Sequence, residues 1–380
     1  MCGARSFWWK AIKQSARTAS RWLRDRLAVR FPRAPIATEP GPAAAPGPDS
    51  ALAPDGGAWV SAHVLSPVNG ARRRPGLTHS IYLPPAARSR ALPLVVMLHG
   101  CEQTAAEFAQ GTRMNQLAGQ EDFVVLYPQQ SMGAHRHRCW QWYDRATQGG
   151  SGDAALIAAM IDTVVAKYGI DRSRIYAAGM SAGASMAHIV ALRRPELIAA
   201  VGLHSGVAFG AAGSATAAFT AMQLGASGSP AAAVRDALHD PAAFPSMPAI
   251  LIHGDRDGVV RPINLAHLSE QFRTLNGATE RIAGPVSHAP GTRPRGAGEG
   301  TPHVQRDYYA GSRLMLQVCE VPGLAHAWSG GDSAVPFHAS EGPDASALMW
   351  AFFKSHRRLP DARARAGAAT LPARNARQAS

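Results

Sequence analysis

Ile175-Tyr176-Ala177-Ala178-Gly179-Met180-Ser181-Ala182-Gly183, running on into Ala184-Ser185-Met186-Ala187-His188-Ile189-Val190-Ala191-Leu192-Arg193, is the stretch whose reading decides the fold. Ile175 to Ala178 is a short apolar run of the kind that forms a buried strand, and Ala182 to Arg193 reads as a helix. Between them stands G-x-S-x-G. A turn that reverses so sharply from strand to helix holds its serine in a strained conformation at the carboxyl edge of a sheet, with room only for glycine on either side. The helix that follows aims its N-terminal amides at the same point, where they can stabilise negative charge.

Outward from this turn, strands are expected at Ala58 to Leu65, His79 to Leu83, Leu92 to Leu98, Phe123 to Tyr127, Ala199 to Leu203, Ala249 to Ile252 and Leu314 to Glu320. Helices are expected at Thr112 to Ala118, Ala154 to Tyr168, Leu265 to Leu275 and Ala345 to Phe353. The uninterrupted apolar run of Leu92 to Leu98 suits a strand covered on both faces. Alternation of this kind predicts an α/β fold, a mostly parallel central sheet with helices on both faces. Ala208 to Pro230 and Gly284 to Thr301 break the pattern; the first reads as a wall or cover of the site, the second as a surface insertion.

A serine hydroxyl is barely acidic at neutral pH, so a nucleophilic Ser181 needs a base, and the base needs an acid that sets its tautomer. The chain order expected after such a turn is serine, acid, histidine. The strand ending at Ile252 runs into His253-Gly254-Asp255-Arg256-Asp257, and Asp257 is preferred as the acid because the loop must leave the strand and turn before presenting a carboxylate; Asp255 reads as a turn or capping residue. His326, on the loop after Leu314 to Glu320, is the expected base. His253 and His99 also stand at strand ends, but both break the chain order. One oxyanion donor should be the amide of Ala182, and the second should come from the loop His99-Gly100-Cys101-Glu102-Gln103. His135, His137 and Cys139 are ligand types at close spacing without a partner cluster, so no metal is expected there. Trp140, Trp142 and Tyr143 suit either a core or an apolar substrate groove.

The chain of 380 residues carries a formal charge of +13, but the charge is at its ends. Residues 1–33 hold nine Lys/Arg against one acid, residues 354–380 hold seven against one, and the stretch between is close to neutral. Nucleic-acid binding by the folded body therefore has no electrostatic support. Ser6 to Arg30 places Trp8, Ile12, Ala16, Ala19, Leu23 and Leu27 at helical steps with cations on the other faces, a basic amphipathic helix suited to an interface such as an anionic membrane. The expected organisation is this segment (1–33), a Pro/Ala/Gly-rich linker (34–57), a catalytic domain (58–353) and a disordered basic tail (354–380). The N-terminus has no apolar stretch ahead of small residues, so a cytoplasmic or granule-associated location is expected over export.

Taken in order, His99-Gly100-Cys101, Tyr127-Pro128, Cys139-Trp140-Gln141-Trp142, the serine turn, His253-Gly254 with Asp257, and His326-Ala327-Trp328-Ser329-Gly330-Gly331 resemble the poly(3-hydroxybutyrate) depolymerase family of esterases, over roughly Ser80 to Phe353. That resemblance implies an α/β-hydrolase fold and an acyl-enzyme mechanism without a cofactor. It implies Ser181, Asp257 and His326 as the triad, and the amides of Cys101 and Ala182 as the oxyanion hole. A Cys101–Cys139 disulfide is implied too, with Trp140, Trp142 and Trp328 lining the substrate pocket. The implied substrate is a short-chain 3-hydroxyalkanoate polyester or its oligomers. Alternatives are a feruloyl or acetyl esterase acting on polysaccharide esters, and a granule- or membrane-surface protein with an inactive hydrolase domain.

Overall fold

The computed structural model describes residues 51–52, 56–64, 77–238, 240, 243–280 and 303–358. The amphipathic segment 1–33, most of the linker, the insertion at 284–301 and most of the basic tail lie outside the described residues. The strands are β1 (Ala51–Leu52), β2 (Ala58–Val64), β3 (Leu77–Leu83), β4 (Leu92–Leu98), β5 (Val124–Gln129), β6 (Ile170–Met180), β7 (Ala200–His204), β8 (Ala249–Gly254), β9 (Thr279–Glu280), β10 (Val304–Ala310) and β11 (Arg313–Val321). They form one sheet in the order β1-β2-β3-β5-β4-β6-β7-β8-β11-β10-β9. The six strands from β5 to β11 in that order are parallel neighbours, and the antiparallel pairings fall at the two ends.

Every residue of β4 is buried. Because side chains alternate along a strand, Leu92, Leu94, Val96 and Leu98 join one apolar cluster, and Val95 and Met97 join another on the opposite face. Residues of Gly152–Lys167 and Ala182–Arg193 belong to the first cluster, and residues of Ala105–Thr112, Met114–Glu121 and Ala345–Phe353 to the second. An uninterrupted apolar strand is thus what a two-sided cover requires. Truncating one of its leucines to alanine would cost about 2–5 kcal/mol.

This topology opens a crevice. β5 lies on one side of β4 and β6 on the other, so the chain leaving β4 turns towards one face while the chain leaving β6 turns towards the opposite face. At such a switch point the two connections part at the carboxyl edge, where ligands bind in open α/β sheets. The loop from His99 and the turn at Ser181 stand on its two sides.

Two expected boundaries are corrected. Ala51 and Leu52 pair with Trp59 and Ala58, so sheet structure begins inside the stretch assigned to a linker. At the other end, Arg358 N–H donates to Ser173 O at 2.8 Å and the buried His356 carbonyl accepts from Tyr176 Oη at 2.8 Å, so the fold runs past 353 into the stretch expected to be disordered. Strands β9 and β10 and the helices Ala215–Leu224 and Pro230–Ala237 were not expected: the strands are short or polar, and the helices are short and alanine-rich. No helix among the described residues is long and apolar enough to cross a membrane.

Candidate active site

Ser181 sits between β6 and the helix Ala182–Arg193 with φ 56° and ψ −121°. This backbone conformation is strained for any residue with a side chain. The flanking glycines are obligatory for a visible reason. A Cβ on Gly179 would lie 2.6 Å from Leu98 O, and one on Gly183 would overlap the same carbonyl. Ser181 N–H donates to His204 O at 2.9 Å, which ties the turn to the end of β7.

The expected acid and base meet. β8 and β11 run parallel with Glu320 opposite His253 and Val321 opposite Gly254, so the loops leaving their carboxyl ends lie side by side. Asp257 Oδ2 accepts from His326 Nδ1 at 2.7 Å, and Oδ1 accepts from the amides of Val259 and Val260 at 2.9 and 2.8 Å. His253 Nε2, which donates to Val260 O at 2.7 Å, also lies 3.4 Å from Asp257 Oδ2. Burial raises the Asp257 carboxyl, but the hydrogen bonds and charges of His253 and His326 outweigh it and hold the group well below the usual carboxylate range. Asp255 does what a loop residue does: its carboxylate caps Gly323 N–H at 2.7 Å. His326 is about nine-tenths buried, with its Nδ1 engaged and Nε2 left for other work.

His204 joins the two halves. Its ring stacks on Trp328 at 5.2 Å, its Nε2 accepts from Ser329 N–H at 3.3 Å, and its carbonyl holds the serine turn. Burial pushes its imidazole down to about 3, so it is neutral at physiological pH. Ser181 Oγ carries no hydrogen bond among the described residues, which leaves its contact with His326 the open link of the set. Such contacts are often long in free enzymes and close with substrate bound.

The loop after β4 crosses close above the serine: a Cβ on Gly100 would stand 3.6 Å from Ser181 Cβ. Neither Cys101 N–H nor Ala182 N–H has a hydrogen-bond partner among the described residues. The loop is held from several directions. Cys101 is bridged to Cys139, Glu102 N–H donates to His137 O at 2.6 Å, and Gly100 N–H donates to Gln103 Oε1 at 2.8 Å. His99 O accepts from the Trp140 indole at 3.0 Å, and His99 Nε2 accepts from Gln130 N–H at 3.1 Å. Burial holds His99 down at about 4, consistent with an uncharged ring accepting at one nitrogen.

The pattern of residues 77–296 matches the family described as esterase PHB depolymerase, more than half of the chain. The chain belongs to that family. Poly(3-hydroxyalkanoate) depolymerase C of Paucimonas lemoignei is 33% identical over 220 residues, which are 57% of this chain and 53% of that protein. Feruloyl esterase B of Thermothelomyces thermophilus is 32% identical over 222 residues, 55% of this chain and 74% of that protein. The match thus spans about half the length of the depolymerase and more of the feruloyl esterase. An acetyl xylan esterase from Aspergillus awamori superposes with a TM-score of 0.57 at 24% identity, covering 70% of this chain and 93% of that one, which shows the α/β-hydrolase fold.

Within this PHB depolymerase-family chain, the tryptophans expected to line a pocket are indoors. Trp140 and Trp328 are fully buried and Trp142 is 6% exposed. Trp140 braces the loop through its indole, Trp328 is wedged between His204 and Phe108, and Trp142 packs in the core against Tyr143. Large aromatic rings gain from burial, and these three are packed inside the fold. His135 accepts locally from the amides of His137 and Cys139, while Cys139 is committed to its disulfide. Gln103, His204 and His253 carry no mark in the sequence of the partners they take in the fold. For His253, chain order ruled out a base but carried no information about a second donor to Asp257.

Proposed function

We propose that this chain hydrolyses carboxylic esters through an acyl-enzyme on Ser181. The observation that carries the reading is the Asp257–His326 hydrogen bond of 2.7 Å, formed by loops that leave the same carboxyl edge of the parallel strands as the elbow serine. Ser181 Oγ attacks the ester carbonyl as His326 Nε2 takes its proton. Charge gathers on the carbonyl oxygen, facing the amides of Cys101 and Ala182 and the N-terminus of the helix behind the serine. When the tetrahedral adduct collapses, the ester C–O bond breaks and Nε2 returns the proton to the leaving alcohol. Water then attacks the acyl carbonyl as Nε2 takes one of its protons, and collapse of this second adduct breaks the C–Oγ bond, releasing the acid as Nε2 passes that proton to Oγ. Asp257 remains ionised throughout, holding the proton of His326 on Nδ1 and stabilising the imidazolium.

The substrate class favoured is a short-chain poly(3-hydroxyalkanoate) or its oligomers. Resemblance to the Paucimonas lemoignei depolymerase supports this, and so does the surface. Met132, Phe219, Leu224, Val259, Ile263 and Phe337 are the exposed large apolar side chains among the described residues, and all lie on connections leaving the carboxyl ends of β5, β7, β8 and β11. Exposed apolar side chains on these connections suit contact with a hydrophobic polyester. On the same reading, residues 1–33 add a cationic, apolar-seamed segment for attachment to a granule or anionic membrane. Resemblance to feruloyl esterase B supports a second substrate class, aryl or acetyl esters of polysaccharides.

A panel of amorphous polyhydroxybutyrate, soluble 3-hydroxybutyrate oligomers, methyl ferulate and acetylated xylan decides between them. Turnover of the first two is expected. Activity confined to the last two would overturn the polyester assignment, and absence of turnover on a chromogenic butyrate ester would overturn the enzyme itself.

A further inference from the structure

The loop after β4 carries two consecutive amides beside Ser181, and they are not equivalent. Gly100 N–H is consumed by Gln103 Oε1 at 2.8 Å, whereas Cys101 N–H is unengaged among the described residues. Gln103 is only 3% exposed, and its other end, Nε2, donates to Pro336 O at 3.4 Å. Both contacts demand the same orientation of the side-chain amide, oxygen towards Gly100 and nitrogen towards Pro336. Pro336 O is itself fixed, accepting from His338 Nδ1 at 2.9 Å, and it belongs to the connection after β11 that carries His326. Trp328 N–H donates to Phe337 O at 2.8 Å, which ties this far end of the connection back to the residue two places after the base.

We infer that Gln103 is a positioning residue for ester hydrolysis: it withdraws Gly100 N–H from the site, leaves Cys101 N–H as the loop's oxyanion donor, and joins the oxyanion loop to the histidine loop. The inference rests on the acyl-enzyme reading of Ser181. A donor that is already aimed costs no reorganisation as charge develops, and its advantage is confined to the transition state. Without the glutamine acceptor, the Gly100 amide must find another partner, and the peptide that carries Cys101 N–H loses its anchor on that side.

The test uses the full chain with Gln103→Met, close in size but without the amide, and Gln103→Glu, which retains an acceptor for Gly100. kcat and KM on p-nitrophenyl butyrate are expressed per active serine, counted by a fluorophosphonate probe, and the affinity of a trifluoromethyl ketone ester analogue is measured beside them. Gln103→Met is expected to lower kcat about ten- to a hundredfold with KM within about twofold, and to weaken the ketone by the same factor. Gln103→Glu should recover most of that loss. A Gln103→Met enzyme with wild-type kcat per titrated serine, even at a reduced Tm, would reduce the glutamine to packing and overturn the inference. Amide hydrogen exchange on the wild-type enzyme gives an answer that needs no variant. Gly100 should be protected in the free enzyme, and Cys101 should become protected only in the ketone adduct; the opposite pattern overturns the assignment. Ser181→Ala is run alongside. Retained activity there sinks the acyl-enzyme reading, whereas its loss together with an unaffected Gln103→Met enzyme sinks this inference alone.

Discussion

Asp257 Oδ2 lies 2.7 Å from His326 Nδ1 across a sequence separation of 69 residues, on loops that leave the adjacent parallel strands β8 and β11. The carboxylate fixes the ring proton on Nδ1 and so leaves Nε2 with its lone pair. Amides of Val259 and Val260 hold the other carboxylate oxygen, which fixes the orientation of the acid as well.

Replacing Asp257 by asparagine tests that polarity. Val259 and Val260 N–H will continue to claim the side-chain oxygen, so the new NH₂ group faces His326 and drives its proton to Nε2. kcat on p-nitrophenyl butyrate should fall about 10³–10⁴-fold with the fold retained, as tautomer inversion does in serine triads. A loss smaller than tenfold would mean that another acid orients the base.

Ser181 allows activity and strain to be separated. Ser181→Ala should lower turnover by about 10³-fold or more at unchanged stability. Ser181→Gly should be equally inactive but should gain up to about 1 kcal/mol in stability, because glycine accepts a φ of 56° that serine does not. Tm values for the two variants, read against wild type, check the ordering.

Acid stability follows from the buried histidines before it follows from the carboxylate. Burial holds His99 at about 4 and His188 and His204 at about 3, while each titrates near 6.5 once unfolded. Between those values the unfolded state binds more protons, so stability declines as pH falls below about 6.5, by up to about 1.4 kcal/mol per pH unit for each ring. Asp257 has the opposite kind of charge but the same direction: its depressed pKa gives stability that is present above the ordinary carboxylate value and lost only as pH drops through its low folded value. Among the described residues His188 has no hydrogen-bond partner for either ring nitrogen, and its ring packs tilted against Phe272 at 4.6 Å. His188→Phe should therefore flatten the Tm profile between pH 7 and 4.5, and an unchanged slope would show that His188 does not contribute.

The Cys101–Cys139 bridge closes a loop of 38 residues, worth about 3–4 kcal/mol by chain entropy. It also anchors the residue whose amide is proposed as an oxyanion donor. Cys139→Ser should lower Tm and reduce kcat about tenfold, more than it changes KM. Guanidinium unfolding and steady-state kinetics measure the two effects separately.

Trp140→Phe distinguishes a brace from a substrate contact. It removes the indole donor to His99 O, a buried hydrogen bond of 3.0 Å, so stability should drop by about 1–3 kcal/mol and kcat should decline with KM little changed. A rise in KM for short acyl esters at constant kcat would instead return Trp140 to the pocket.

What the sequence determined by itself was whatever local chemistry specifies. A strand, two glycines around a serine and an alanine-rich helix admit one arrangement, because a Cβ at either glycine would meet Leu98 O, and β4 and the helix Ala182–Arg193 were legible to the residue. The pairing of Asp257 with His326 was legible because a doubly wound sheet brings the loops that leave its parallel strands to one carboxyl edge. Elements without periodicity were not: the two-residue strands β1 and β9 exist only through their partners, and an alanine-rich helix such as Ala215–Leu224 has little apolar pattern to reveal it. Tertiary structure alone decided which side of each residue does the work. Indoles that a sequence places beside a site turned inward, since a ring of that size is stabilised most by full burial, and Trp140 became a brace. Gln103 met Pro336 and His204 met Ser329 through contacts between loops far apart in the chain, and no local rule encodes a hydrogen bond whose two ends are brought together only when the sheet is assembled.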